Sequence, residues 1–328
     1  MRQHFEILGT GSFLPGPGVT ATEIERRGRL PLGWIEQHTR VAMRHECAEP
    51  ESLGSMARQA IGRAMEDAAV SWSDLDLLID CSTSRHQPIP CNAAVLQSLF
   101  LPESDRIPCM DVHGTCLGFL LGLNVANALL ATGAYRRIML VASEAPLAAA
   151  NWDEPESSTL LGDGAAAIII GAREPTETYF FRHETYSEHL EECEVRGGGH
   201  TLPAFAYSQD VDQHFRFHMD GPRLFKTALT RLPPLVEQLL TEANVAAENV
   251  VFVPHQASPH AVEAVRRRLK VPTDRFINRA RVTGNLVSAS IPLVLDQLRR
   301  EQSLAPGQPV MFLGTSAGYA QAGMLFIL

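Results

Sequence analysis

Residues 111–119 have the sequence DVHGTCLGF, and they join a short apolar segment to nineteen residues, Cys116 to Ala134, without a formal charge. The apolar segment predicts a buried strand over Ile107–Val112. The uncharged residues predict a helix over Cys116–Ala131 that is buried on all sides in a large core. Two asparagines interrupt them and the sequence has no second stretch of this kind, so we expect no membrane span. A buried strand followed by a buried helix is typical of α/β proteins.

Short β-rich segments alternate with helical patterns in the first part of the chain. The predicted strands are Phe5–Leu8, Leu75–Cys81, Arg137–Ala142 and Ala165–Ile170, and the predicted helices are Ser55–Ala69 and Ala93–Leu99. Because alternating strands and helices need crossover connections, we expect a mainly parallel sheet with helices on both faces.

The second part of the chain repeats this alternation. Its predicted elements are a helix from about Leu224 that Pro233-Pro234 breaks, a strand at Val250–Val253, a helix that begins at Ser258-Pro259, a short strand near Phe276, a helix through Pro292–Arg300, and strands at Val310–Leu313 and Met324–Leu328. A hydroxyl followed by proline is a typical helix start. The last strand is apolar throughout, which is typical of a central strand.

Each part of the chain ends on two apolar strands, and the connection between them contains glycine, serine or aspartate. This repetition predicts two related halves. We divide them as residues 1–172, which contain Cys116, and residues 173–328, which contain His255 and Asn285.

Composition and charge exclude several classes of protein. The 328 residues include 28 basic and 37 acidic side chains, which gives a net charge of −9. So acidic a chain lacks the overall basic character of nucleic-acid binding proteins, and no nucleic-acid partner is expected. The first residues lack the basic start and apolar run of a secretion signal, which favours a cytoplasmic protein. Six cysteines without a CxxC pair indicate reduced thiols rather than a disulfide scaffold.

A metal or a dinucleotide cofactor is not expected. His214 and His218 are four residues apart, but no third ligand accompanies them. Gly9 and Gly11 resemble the start of a dinucleotide-binding turn, yet Pro15 follows where a helix should begin.

Three segments carry candidate chemistry. Cys116 lies where the predicted strand turns into the buried helix, so helix N–H groups near its sulfur can lower the pKa of the thiol. His255 follows a predicted strand, and strand ends are where α/β sheets bind ligands. Asn285 follows Gly284 in a run of small residues before a helix. Taken alone, these residues also fit structural roles, as an inert thiol, a core histidine and a helix cap.

Four further motifs lie in order along the chain: ILGTGSFLP at residues 7–15, GDGAA at 162–166, LFK at 224–226 and LGTSAG at 313–318. Together with the three segments above, they resemble the motifs of β-ketoacyl-acyl-carrier-protein synthase III, a family of the thiolase superfamily. The resemblance spans the whole chain. It implies a thiolase fold of five layers, αβαβα, built from two duplicated halves, and a homodimer.

The resemblance also implies a role for each candidate residue. Cys116 would take an acyl group from a thioester. His255 and Asn285 would bind the carbonyl of a malonyl thioester and stabilise the enolate that forms when carbon dioxide leaves. The backbone N–H groups of Cys116 and Ala317 would form the oxyanion hole for acyl transfer. The substrates would be thioesters of coenzyme A or an acyl-carrier protein, and no cofactor is implied.

The predicted substrate pocket contains departures from the family. The family's coenzyme A site has a tryptophan and an arginine four residues later, and this chain has Trp34 but His38. A second family arginine aligns with Pro155. Losing both arginines weakens phosphate binding, so the sequence favours an acyl-carrier protein as donor. Ile89 aligns with a larger residue that crosses the dimer interface to the acyl pocket, and this indicates a longer primer; Phe225 is the remaining pocket residue.

A basic cluster follows His255 on the next predicted helix. Within it, Arg267 and Arg268, together with Lys226, align with family positions that dock the carrier protein. Most charge runs are solvated surface, but a local basic patch on an acidic protein can also steer an acidic partner.

The leading hypothesis is a decarboxylative Claisen condensation of an acyl group on Cys116 with a malonyl thioester. A second is acyl transfer from Cys116 to a hydroxyl or an amine of a natural-product intermediate. Head-to-head condensation of two acyl chains is a third. Outside the superfamily, the alternative is a papain-like hydrolase, which the duplicated sheet pattern disfavours. A non-enzymatic alternative is a partner subunit of a heterodimeric synthase, and retention of the cysteine and the histidine disfavours it.

Overall fold

The computed structural model describes residues 2–328. The strands are β1 (Gln3–Phe13), β2 (Val19–Thr20), β3 (Met43–Arg44), β4 (Leu77–Asp80), β5 (Cys109–Asp111), β6 (Arg137–Glu144), β7 (Gly164–Thr176), β8 (Tyr179–Thr185), β9 (Cys193–Glu194), β10 (His218–Met219), β11 (Val251–Pro254), β12 (Pro309–Ser316) and β13 (Ala320–Ile327). The helices are α1 (Ala21–Gly28), α2 (Trp34–His38), α3 (Leu53–Ala68), α4 (Asn92–Ser98), α5 (Gly118–Ala131), α6 (Pro155–Ser158), α7 (Gly221–Ala243), α8 (Pro259–Leu269), α9 (Ala280–Thr283) and α10 (Ser290–Arg300).

Two large sheets have matching strand orders. The first is β1-β7-β6-β4-β5 and the second is β8-β13-β12-β11. In each sheet the edge strand, β1 or β8, pairs antiparallel with its neighbour. Phe276 makes a single parallel bridge to Phe252 of β11, at the place that β5 occupies beside β4. The predicted strand near Phe276 is therefore reduced to one bridge, and the two halves of the molecule are built alike.

Both sheets are mixed, so the prediction of mainly parallel sheets is wrong. Only β4 with β5, β4 with β6, and β11 with β12 pair in parallel within the two sheets. The remaining pairs, β1 with β7, β6 with β7, β12 with β13 and β13 with β8, are antiparallel. Between β12 and β13 a turn of three residues suffices, and a turn this short can join only antiparallel strands.

Side chains of each sheet alternate between two cores, and this alternation creates five layers. On β6, Ile138 and Leu140 face a central core shared with α5 and α10, while Met139 faces an outer core shared with α3 and α4. On β12, Phe312 faces the central core and Met311 faces an outer core with α7 and α8. The order is therefore α3/α4, first sheet, α5/α10, second sheet, α7/α8, which confirms the predicted αβαβα fold.

Helix α7 differs from its prediction. It runs unbroken over Gly221–Ala243 with Pro233 and Pro234 inside, although two prolines remove two helical hydrogen bonds. Its face of Leu232, Leu235, Val236 and Leu239 is buried, and packing of that face holds the helix together.

The predicted division between halves lies inside a strand. Residues 172 and 173 both belong to β7, which continues to Thr176, and the chain passes to the second sheet at Tyr179. Strand β13 lies between β12 and β8, so its prediction as an interior strand is confirmed.

Candidate active site

Cys116 lies in a turn of 3-10 helix, Thr115–Leu117, between β5 and α5. The turn is tightly placed: a side chain at Gly118 would collide with the carbonyl oxygen of Cys81. Thr115, directly before the cysteine, has a left-handed φ of 47°. A β-branched residue adopts this conformation at a cost of about 1–3 kcal/mol, and such strain concentrates at functional sites.

The pKa of Cys116 differs from the sequence-based expectation. The thiol is half-buried, and burial raises its pKa well above that of an ordinary thiol, with further increases from Cys193 and Glu144. Hydrogen bonds from the backbone N–H groups of Cys116 and Ala317 lower the pKa but do not compensate. The expected help from the helix N-terminus is reduced because the N–H of Phe119 donates instead to Oγ of Ser288, at 2.8 Å.

The contact between the Cys116 sulfur and the backbone of Ala317 brings the two predicted oxyanion-hole residues together. Ala317 lies in the turn between β12 and β13, and its N–H reaches the sulfur of Cys116 although the two residues come from different halves. Two backbone N–H groups are thus close to the thiol, and paired N–H donors of this kind are what an oxyanion hole requires.

His255 follows β11, and its N–H donates to the carbonyl oxygen of Leu313 on β12 at 2.7 Å. Gly314 is the neighbour that admits the ring: a Cβ there would lie 2.7 Å from Cβ of His255 and 3.4 Å from Cδ2 of Leu117. The imidazole therefore packs beside the cysteine turn. Burial lowers the pKa of His255 to about 4, partly offset by a contact with the backbone of Val287, so the ring is neutral at physiological pH.

The amide of Asn285 has one orientation that satisfies its neighbours. Its Oδ1 accepts from the N–H of Val287 at 2.8 Å, while Nδ2 makes no hydrogen bond with any of residues 2–328. The backbone of Asn285 pairs with the first half, donating to Leu160 and accepting from Gly162. The side chain therefore retains a free donor, and its position is fixed by both halves.

Two buried side chains connect the loops of the site. Ser288, three residues after Asn285, holds the start of α5 through Phe119. Gln256, directly after His255, accepts through Oε1 from the N–H groups of Arg279 and Ala280. The histidine, asparagine and cysteine loops are thus joined by hydrogen bonds into one unit.

Glu144 is a buried acid of this region that the sequence analysis missed. It ends β6, and its carboxylate accepts from the N–H groups of Thr83 and Ser84 at 2.7 and 2.9 Å. Burial raises its pKa to about 7, against the lowering effect of those bonds. Its signal in the sequence is weak, because a charged residue at the end of an apolar strand is as often exposed, as Arg137 at the other end of β6 is.

Of the predicted pocket residues, Trp34 and His38 lie together on α2, and the other two lie on separate elements. Trp34 and His38 stack at 4.2 Å between ring centres, nearly parallel, and Phe225 packs against the His260 ring at 5.4 Å. Ile89 is 83% exposed on the loop between β4 and α4, so within a single chain it is a surface residue.

The basic patch, by which we mean Lys226, Arg267 and Arg268, lies on α7 and α8, which pack against each other. All three side chains are exposed. Arg267 forms an ion pair with Glu263 at 2.6 Å, whereas no carboxylate within residues 2–328 pairs with Lys226 or Arg268.

Among residues 2–328, no group of three histidine, cysteine, aspartate or glutamate side chains is arranged to hold a metal ion. The helices of that range include none that combines the length and the apolar character needed to cross a bilayer.

Comparison with known proteins assigns the family. The family described as 3-oxoacyl-[acyl-carrier-protein (ACP)] synthase III matches residues 110–188, and its C-terminal part matches residues 240–327. A β-ketoacyl-[acyl-carrier-protein] synthase III from Methylococcus capsulatus is 30% identical over 329 residues, with 99% of each chain covered.

Solved structures agree with this assignment. A 3-oxoacyl-(acyl-carrier-protein) synthase III aligns with a TM-score of 0.91 and 26% identity, covering 99% of this chain and 100% of that one. The priming β-ketosynthase of a polyketide biosynthetic pathway aligns with a TM-score of 0.89 and 26% identity, covering 100% and 97%.

A thiolase fold in which the two halves bring a cysteine, a histidine and an asparagine loop together defines an acyl-transferring enzyme of the ketoacyl synthase class. The chain belongs to the 3-oxoacyl-[acyl-carrier-protein] synthase III family. The predicted resemblance is confirmed, and the papain-like alternative is wrong because the fold is different. Acyl transfer to a hydroxyl or an amine is not favoured, since the relatives are named as ketoacyl synthases.

Proposed function

We propose that this protein condenses an acyl group, held as a thioester on Cys116, with a malonyl thioester, and releases carbon dioxide. One observation carries the proposal: hydrogen bonds join the loops of His255 and Asn285 to the start of the helix after Cys116, with a neutral imidazole on one loop and the free amide donor Nδ2 on the other. A neutral donor stabilises an enolate without protonating it, whereas an acid would quench the carbanion that has to attack.

The first half-reaction is acyl transfer to the cysteine. The Cys116 sulfur attacks the carbonyl carbon of the donor thioester, and the N–H groups of Cys116 and Ala317 donate hydrogen bonds to the carbonyl oxygen as negative charge develops on it. The C–S bond of the donor then breaks, and the proton from the Cys116 thiol leaves with the donor thiol. Because the pKa of Cys116 is raised, loss of that proton is coupled to attack.

The second half-reaction is decarboxylation and carbon–carbon bond formation. The malonyl thioester carbonyl binds between the imidazole of His255 and Nδ2 of Asn285. The bond to the carboxylate breaks, carbon dioxide leaves, and the electron pair forms an enolate held by those two donors. Its carbon attacks the acyl-Cys116 carbonyl, and collapse of the intermediate expels the Cys116 thiolate and yields the β-ketoacyl product.

We propose an acyl-carrier protein as the donor and as the carrier of the malonyl group. Two family arginines for coenzyme A are replaced by His38 and Pro155, and the His38 ring covers one face of the Trp34 indole. Both differences weaken binding of a free nucleotide thioester. The basic patch offers the carrier protein a surface of opposite charge.

We further propose a homodimer that acts in the cytoplasm. Strand β5 is an edge strand of the first sheet, and Ile89 exposes its side chain on the neighbouring loop, as expected of a residue that completes the acyl pocket of a partner copy. All six cysteines are unpaired, which suits a reducing compartment.

The test is turnover of the purified protein with malonyl-carrier protein and a series of acyl primers of increasing length. We expect carbon dioxide release, a β-ketoacyl product and an acyl adduct on Cys116 in intact-mass spectra. Transfer of the acyl group without loss of malonyl carboxylate would contradict condensation. An Asn285→Ala variant that keeps its full rate would point to transfer to another nucleophile.

A further inference from the structure

A cavity of about 540 Å³ opens between the end of α2 and the helices α7 and α8. It is lined by Arg40, Leu229, His260, Glu263, Ala264, Arg267 and Arg268. Leu229 lies one helical turn after Lys226, so the cavity adjoins all three members of the basic patch. Arg40, two residues after the end of α2, is the one cation on that side of the cavity.

The charge of this cavity is positive. Glu263 is its only carboxylate, and that side chain is already bonded to Arg266 and to Arg267. These bonds lower the pKa of Glu263 to about 2, so it stays ionised and partly neutralises its two partners. Arg40 and Arg268 have no ion pair among residues 2–328, and their charges remain available to a ligand.

The position of Arg40 is fixed by its backbone. Its N–H donates to the carbonyl oxygen of Ile35 at 2.7 Å, and its φ of 58° is left-handed, as is usual for the residue that closes a helix. Glycine is the residue that adopts this conformation most readily. Arginine is therefore more strained at this position than glycine would be, and it places a guanidinium at the cavity.

We infer that Arg40 is a specificity-determining residue that binds an acidic carrier protein, together with Lys226, Arg267 and Arg268 across the cavity. This inference rests on the proposed function. The acidic carrier is the partner that the charges select, because exposed cations clustered on a chain of net charge −9 attract a local acidic surface.

The test compares steady-state kinetics of the Arg40→Gly, Arg40→Lys and wild-type proteins with malonyl-carrier protein. Glycine suits the left-handed backbone, so it removes the charge without adding strain. We expect Arg40→Gly to raise KM for the carrier protein about two- to fivefold, the size of one exposed charge pair, with kcat unchanged. Arg40→Lys should keep KM near that of the wild type. Added salt should reduce the difference in KM between Arg40→Gly and the wild type.

A matched control is Arg106→Gly. Arg106 is also exposed and left-handed, with φ of 68°, but it precedes β5 and lies at the opposite end of the sheet from Cys116. Its variant should retain the KM of the wild type. An unchanged KM in Arg40→Gly, or an equal rise in Arg106→Gly, would overturn the inference.

A second substrate separates this inference from the proposed function. A malonyl thioester of N-acetylcysteamine lacks both the carrier protein and the phosphate, so its turnover should not respond to Arg40→Gly. If the wild-type protein condenses neither substrate, the proposed function fails. If it condenses both but Arg40→Gly affects them equally, only the role of Arg40 fails.

Discussion

The residues around Cys116 and the basic patch are built in different ways. Around the cysteine, His255 is buried and uncharged, Asn285 is held by both halves, and hydrogen bonds fix the loops. In the patch, the side chains are exposed and charged, and two of them have no partner carboxylate within residues 2–328. Because solvent and salt screen only the second region, we expect changes near Cys116 to act on chemistry and changes in the patch to act on binding.

Cys116→Ala has the largest expected effect. It removes the nucleophile, so the acyl adduct disappears and turnover falls by at least about a thousandfold. Intact-mass spectra after incubation with an acyl donor measure the adduct. Cys47→Ala is the matched control, since Cys47 is also a half-buried thiol, and it should keep both the adduct and the rate. An adduct that persists in Cys116→Ala would place the nucleophile elsewhere.

His255→Ala and Asn285→Ala should each slow the release of carbon dioxide by about a hundred- to a thousandfold, because each removes one donor to the enolate. Acyl loading of Cys116 should continue, since the N–H groups that serve it are untouched. Radiolabelled malonyl carboxylate and intact-mass spectra measure the two steps separately. Equal loss of loading and decarboxylation would show that the substitutions disturb the whole site.

Glu144 should make stability depend on pH. Its pKa is raised from 4.5 to about 7 in the folded protein, so the folded state binds a proton more tightly than the unfolded state. The contribution of Glu144 to the free energy of unfolding should therefore be fully present below pH 4.5 and be lost as pH rises to about 7. From Glu144 alone, the loss is about 3 kcal/mol.

The measurement is urea unfolding of the wild type and of Glu144→Gln between pH 5 and 8. Asp80 and Asp163 shift in the same direction as Glu144, and His255 shifts oppositely, so the difference between the two proteins isolates Glu144. We expect the free energy of unfolding to change less steeply with pH in Glu144→Gln than in the wild type. Parallel curves would mean that Glu144 is ionised at the same pH in both states.

The smallest effect is expected for His38→Arg. A guanidinium at this position restores a charge-assisted contact to phosphate, so KM for acyl-coenzyme A should fall a few-fold, while KM for the acyl-carrier protein stays constant. Initial rates with the two donors provide the measurement. A change of the same size with both donors would contradict a specific effect on coenzyme A.

Much of the fold was predictable because its signals are local. Periodic apolar segments defined nearly every strand of the two sheets, and Ser258 marked the start of α8, where its Oγ accepts from the N–H of Ala261. The break predicted at Pro233 was wrong because burial of one helix face outweighs two lost hydrogen bonds. The pairing direction of the sheets depends on the lengths of their connections, and no single segment carries that information.

The active site, like the fold, has features that the sequence predicted and others that depend on packing. The motifs indicated Cys116, His255 and Asn285, but the raised pKa of the thiol depends on burial in the packed fold and on residues far away in sequence, such as Cys193. Ser288 takes the N–H that was expected to help the sulfur, a competition that only the packed structure reveals. Arg40 belongs to no sequence motif, and only the structure shows that it lies at the same cavity as Arg267 and Arg268.

The high pKa of Cys116 has a consequence for inhibitors and for oxidative damage. A thiol that stays protonated reacts slowly with peroxides and with simple alkylating agents, which attack the thiolate. Reagents that carry an electrophilic carbonyl should still react, since the N–H groups of Cys116 and Ala317 would polarise that carbonyl as the thiol proton departs. Covalent drugs for this cysteine would then owe their selectivity to an oxygen atom that mimics the thioester rather than to intrinsic reactivity.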